Sequence, residues 1–308
     1  MSRHTRPRPV RRATATATAV LSACAVLATA GQGTAAAAGA GVNGARYVAL
    51  GDSYASGYGI APLGNAACDR SEASSYPISL RSLAKSQSFT NVTCSAATTR
   101  GIRSAENGQP PQIQALKPDT TLVTLTIGGN DIGFRDIVTT CVTLAFQQPT
   151  GDPCRDHFQK NGTDQILTRI QALKPRIASV VTDIRRKSPK ATVALVGYPS
   201  LLPDSGKGCR SPQVPFADGD FSYLRNITVR LNRALAEQAR KASAVYVDTY
   251  TPTIGYDMCQ DRTRRVIEPL FTAKGPSGDL APMSAHPNVR GNFGMAWYTK
   301  QALDKLDG

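Results

Sequence analysis

Histidine is scarce in this chain, with three in 308 residues. Only His157 and His286 lie beyond the N-terminal segment. A histidine-built metal centre draws on more of them, so neither metal nor cofactor is expected. A long apolar run is also missing. The most continuous one, Ala19 to Ala30, is too short and too rich in threonine to span a bilayer. No internal repeat or linker-like composition divides the rest. Acidic side chains are outnumbered, 22 against 36 basic, for a formal charge of +14. The basic residues are dispersed, with small clusters at Arg185-Arg186-Lys187 and Arg264-Arg265. They form no stripe interleaved with aromatics, which excludes nucleic acid as a partner. Such a charge suits peripheral contact with anionic lipid surfaces or cell-wall polymers.

The N-terminal segment has a layout of its own. Arg3, Arg6, Arg8, Arg11 and Arg12 precede the Ala-rich run, and small residues follow at Thr34 to Ala38. That is the layout of a secretory signal peptide cleaved near Ala38, leaving a mature chain from about residue 39. A competing expectation is a lipoprotein signal, since Leu21-Ser-Ala-Cys24 would make Cys24 the lipidated end; the apolar run continuing past Cys24 speaks against it. Removing residues 1–38 lowers the formal charge to +9 (14 − 5, because the segment holds five arginines and no acid or lysine). It also leaves six cysteines, Cys68, Cys94, Cys141, Cys154, Cys209 and Cys259. An even set in an exported chain reads as a disulfide framework. Their loose clustering favours the sequential pairs 68–94, 141–154 and 209–259. A secreted monomer is expected.

Beyond the signal, apolar runs of strand length alternate with helical patterns. Strands are expected at Tyr47–Leu50, Phe89–Thr93, Thr121–Ile127, Thr192–Val196 and Ala244–Asp248. Helices are expected at 74–86, at 163–187 with a kink at Pro175, at 223–241, and at 289–306. The stretches 132–162 and 198–221 read as long functional loops tied down by disulfides. Strands separated by helices imply right-handed crossovers and a parallel sheet covered on both faces. The fold class is therefore α/β, a three-layer single domain over 39–308.

The chemistry gathers where strands end. The first apolar run stops at Gly51, and Asp52-Ser53 follow at once. Ser53 there would project from the C-terminal edge of the sheet, where open α/β folds collect ligands. The pair also makes a good helix N-cap, and this stretch alone leaves nucleophile and cap both open. A serine hydroxyl needs a base, and imidazole has the suitable pKa. His157 follows Cys154 closely and fits a surface or structural role. His286 is held in a loop by Pro287, with Asn288 placed to cap the last helix. Gly128-Gly-Asn-Asp131 follows the third strand at the same edge, and the Asn130 amide can donate toward a developing oxyanion. Serine, asparagine and histidine thus converge on one rim.

These residues resemble the SGNH or GDSL hydrolases, and among them the secreted actinobacterial lipases and esterases. Gly51-Asp-Ser53 matches the first block, Gly128-Gly-Asn-Asp131 the third, and His286-Pro-Asn288 the fifth. The resemblance covers essentially the mature chain. It implies a flavodoxin-like α/β/α sandwich with a five-stranded parallel sheet, Ser53 as nucleophile and His286 as general base. The oxyanion hole it implies is the backbone N–H of Ser53 and Ala96 with the Asn130 side chain. Two positions depart from it. Ala96 stands where the second block has glycine, which costs strain only if φ there is positive. Met283 stands where the fifth block has the aspartate that orients the histidine. A backbone carbonyl, of Met283 or Ser284, is the expected substitute, with Asp279 a further candidate. The activity implied is carboxylic ester hydrolysis on fatty-acid esters. Phospholipase A1 action, a carbohydrate acetyl esterase and an inactive lipid- or cell-wall-binding relative are the alternatives. Phe134, Ile137, Leu144, Phe146, Leu201 and Leu202 are candidates for an acyl pocket.

Overall fold

In a computed structural model, Met1 and residues 42–274, 279–282 and 285–306 are described. The proposed signal segment and Cys24 lie outside these residues. Five strands form one parallel sheet: β1 (Arg46–Gly51), β2 (Ser88–Asn91), β3 (Leu122–Thr126), β4 (Thr192–Val196) and β5 (Val245–Val247). Their order across the sheet is β2-β1-β3-β4-β5, with every neighbour pair parallel. Chain order reverses next to β1, which opens a crevice at its C-terminal end.

Strand periodicity assigns the two faces. Tyr47, Ala49, Leu122, Ala194 and Val196 point to one core with Tyr76, Leu80, Met295 and Ala296. These last come from α2 (Tyr76–Leu83) and α8 (Val289–Asp304), which pack on each other. Val48, Leu50, Val123, Leu125, Val193 and Leu195 point to the larger core. That face is covered by α6 (Gln165–Lys187) and α7 (Asp220–Lys241). In α6 the buried stripe runs through Ile166, Ile170, Leu173, Ile177, Val180 and Ile184, a spacing of four and three. The helix is one element across Pro175.

Short helices α1 (Ser53–Ser56) and α3 (Thr99–Arg103) follow β1 and β2 along the rim. The stretch 132–162 is not the loop expected from sequence. It holds α4 (Phe134–Gln147) and α5 (Pro153–Phe158), and Ile137, Cys141 and Ala145 are the buried face of α4. Threonines and flanking polar residues masked that period. Disulfides join Cys68 to Cys94, Cys141 to Cys154, and Cys209 to Cys259. The second pins α4 to α5. The third ties the long 198–219 connection to the segment before α8.

Candidate active site

β1 ends at Gly51 because nothing larger fits. Its φ is +147°, and a Cβ there would lie 2.6 Å from the Thr126 carbonyl oxygen. The turn then delivers two adjacent side chains to different tasks. Asp52 caps α1, its Oδ1 accepting from Tyr54 N–H at 2.9 Å. Ser53 faces the rim. The cap reading therefore falls to Asp52, and Ser53 is left free of it.

Ser53 Oγ lies 2.7 Å from His286 Nε2, although 233 residues separate them. The histidine loop is held from several sides. Tyr54 Oη donates to the Ala285 carbonyl at 2.6 Å, Glu268 N–H to the His286 carbonyl at 2.9 Å, and Asn288 N–H to the Val266 carbonyl at 3.0 Å. Asn288 Oδ1 accepts from Gly291 N–H and caps α8, as Pro287-Asn288 suggested. Met283, Ser284 and the Asp279 side chain lie outside the described residues, so the carbonyl assigned to orient His286 does too. His157 is exposed in α5, its ring against Phe158.

After β3, the Gly-Gly-Asn-Asp turn is tied to the segment after β2. Asn130 Nδ2 donates to the Ala97 carbonyl at 2.9 Å, and the same amide carries a second hydrogen. Asp131 accepts from Thr99 N–H and Oγ at 2.9 and 2.5 Å. Burial pushes its carboxyl upward against these bonds. Ala96, the residue before Ala97, has φ +61°, in the left-handed region that glycine tolerates better. Ser53, Ala96, Asn130 and His286 all line one groove of about 530 Å³.

Sequence reasoning missed a buried bridge beneath this rim. Tyr198, two residues after β4, donates its hydroxyl to Asp52 Oδ2 at 2.6 Å and accepts from Gly129 N–H at 2.8 Å. One side chain thus locks the Ser53 turn to the Asn130 turn. Asp52 is fully buried, and burial raises its carboxyl to about 7, opposed by the Tyr198 hydroxyl and the Tyr54 N–H. The available signal was positional: Gly197-Tyr198 ends a strand at the same edge.

Ser53 borders a cavity of about 40 Å³, and a second of the same size shares Ile132, Phe134, Leu201 and Ile227 with it as walls. Phe134 also borders the open groove. Of the acyl-pocket candidates, Phe134, Ile137, Leu201 and Leu202 line these spaces. Phe146 points to solvent, 75% exposed, and Leu144 borders none of them.

A serine hydroxyl against an imidazole, over the crevice of a parallel five-stranded sheet, is an arrangement shared with the class of hydrolases that use a serine nucleophile. Comparison with known proteins narrows the class. The sequence matches the GDSL-like lipase/acylhydrolase family over residues 49–292, and the chain belongs to that family, among the carboxylic ester hydrolases. It is 37% identical over 262 residues to Lipase 2 of Streptomyces coelicolor, covering 83% of this chain and 85% of that one. An esterase of Streptomyces scabiei is 30% identical, with 84% and 85% covered. Among solved structures, phospholipase A1 of Streptomyces albidoflavus superposes with a TM-score of 0.66 at 28% identity, covering 82% of this chain and 95% of that one. The extracellular lipase of Streptomyces rimosus gives 0.63 at 26%, covering 80% and 94%.

Proposed function

We propose that Ser53 and His286 form a catalytic dyad that cleaves fatty-acid esters through an acyl-enzyme. As Ser53 Oγ bonds to the ester carbonyl carbon, its proton passes to His286 Nε2. The carbonyl oxygen becomes an oxyanion held by the N–H groups of Ser53 and Ala96 and the second Asn130 hydrogen. His286 returns the proton to the departing alkoxide, the acyl–serine ester remains, and water repeats both steps to release the acid. The observation carrying this reading is the 2.7 Å Ser53–His286 contact in a groove that Asn130 and Ala96 also line.

Phospholipase A1 action is the second reading, supported by the likeness to the Streptomyces albidoflavus enzyme. Hydrolysis of p-nitrophenyl esters of graded chain length, beside phosphatidylcholine with its two acyl positions distinguished, separates them. A preference for simple long-chain esters supports the lipase reading; release confined to the sn-1 chain of phosphatidylcholine replaces it.

Export is supported by the arginine-led N-terminus and the disulfides, and N-terminal sequencing of secreted protein should begin near residue 39. No helix among the described residues is long and apolar enough to cross a membrane. Peripheral lipid contact is supported by Val289, Phe293 and Trp297, exposed at four-residue spacing on α8 beside Arg290. Co-sedimentation with anionic but not zwitterionic vesicles, weakened by Phe293→Ser, is the expected result; equal binding to both removes the proposal.

A further inference from the structure

Resting on the dyad reading, we infer that Tyr54 and Tyr58 are positioning residues whose ring faces support the positive charge His286 acquires during catalysis. The Tyr54 ring centroid lies 4.8 Å from that of His286 and the Tyr58 centroid 4.4 Å, tilted by 39° and 36°. Both separations are within the ~6 Å over which a cation is drawn to the negative face of an aromatic ring. The imidazole is buried at 7% exposure, where such an attraction is weakly screened.

The backbone builds this arrangement from one short turn. α1 ends at Gly57, whose φ is +77°, and Tyr58 N–H then donates to the Ser53 carbonyl at 3.3 Å. A Cβ at Gly57 would meet Ser71 Cβ, Ser74 O and Ser75 Cβ, each at 3.0 Å. Glycine therefore lets the chain reverse and returns the Tyr58 ring to the histidine that Tyr54 already touches. Tyr54 is fixed at its far end by the bond to the Ala285 carbonyl. Nucleophile and both rings thus belong to one hexapeptide, Ser53 to Tyr58.

The chemistry makes such support useful. When the Ser53 proton moves to Nε2, the ring becomes an imidazolium, and Met283 stands at the sequence position where the family resemblance places an aspartate. The ring faces act alongside whichever group holds Nδ1, because they address the ring's face and not its edge.

Other charged or titratable groups surround the site. Asp52 lies behind Tyr54 on the same turn. Glu268, on the segment before α8, has its carboxylate taken by Arg265 at 2.7 Å and by Asn288 at 3.1 Å. Arg135 on α4 and Asp69 border the same groove. A change confined to the Tyr58 ring leaves all of them in place.

The test is to compare Tyr58→Phe with pentafluorophenylalanine at position 58, which keeps the ring's shape and abolishes its negative face. The His286 titration midpoint is followed by NMR, together with kcat on a butyrate ester. With phenylalanine the midpoint should stay near that of the unaltered protein. With the fluorinated ring it should fall by about half a unit, and kcat should drop severalfold. Identical midpoints for the two replacements would overturn the inference, because a purely structural ring would not distinguish them. If the unaltered protein itself hydrolyses no ester, the dyad reading fails instead, and the midpoints still decide whether the faces act on the ring.

Discussion

Ala96 departs from the family pattern without losing the backbone N–H that the proposed oxyanion hole uses. A backbone N–H donor requires no side chain, so alanine can supply it, but at φ +61° its Cβ crowds the following carbonyl. Relief of that strain exceeds the added chain entropy of glycine, so Ala96→Gly is expected to stabilise by about 0.5–1 kcal/mol. Chemical denaturation reads this directly, with hydrolysis unimpaired; a loss of stability would mean the site is not strained. Asp52 is the opposite case, a conforming residue in a demanding environment. Burial raises its folded carboxyl to about 7 from an ordinary 3.8. Between these values the folded chain holds a proton that the unfolded chain releases. The Asp52 contribution to stability is therefore full below about pH 4 and declines as pH rises to about 7. The difference in thermal midpoint between the parent and Asp52→Asn, followed from pH 4 to 8, should show this decline. A flat difference would contradict it.

At the scale of elements, α4 carries the most consequence for specificity. Its first residue, Phe134, borders both the open groove and the two cavities of about 40 Å³. Phe134→Ala should merge these spaces, raising the rate on long-chain p-nitrophenyl esters relative to butyrate by roughly tenfold, the order that one or two methylenes are worth in an apolar pocket. An unchanged chain-length profile would show that acyl chains lie elsewhere. α4 itself was missed in the sequence, though Phe134, Ile137, Val138, Cys141, Val142 and Ala145 carry a helical period. Thr139, Thr140 and Thr143 interrupt it, and a cysteine-bearing stretch read more readily as a loop. By contrast α6, α7 and the five strands were legible, because their apolar spacing is uninterrupted or their runs are β-branched. Ser53, Asn130 and His286 were legible for a related reason: each stands just where an apolar run or a helix begins or ends. Tyr198, Tyr54 and Tyr58 were not, since a tyrosine announces nothing until the fold shows what its hydroxyl or face meets.

For the whole molecule, the sheet order is what turns scattered residues into a site. Placing β1 between β2 and β3 sets Ser53 beside both Ala96 and Asn130, and the return of α8 along the first core brings His286 over them. Disulfides then fix the connections that border the rim, each worth typically ~2–4 kcal/mol in loop entropy denied to the unfolded chain. The measurement that tests this convergence most directly is stoichiometric labelling by an organophosphonate ester, followed by mass spectrometry of the modified peptide. One phosphonate per chain, located on Ser53 and abolished in both Ser53→Ala and His286→Ala, is the expected result. Labelling at another residue, or undiminished labelling of Ser53 once His286 is removed, would contradict it.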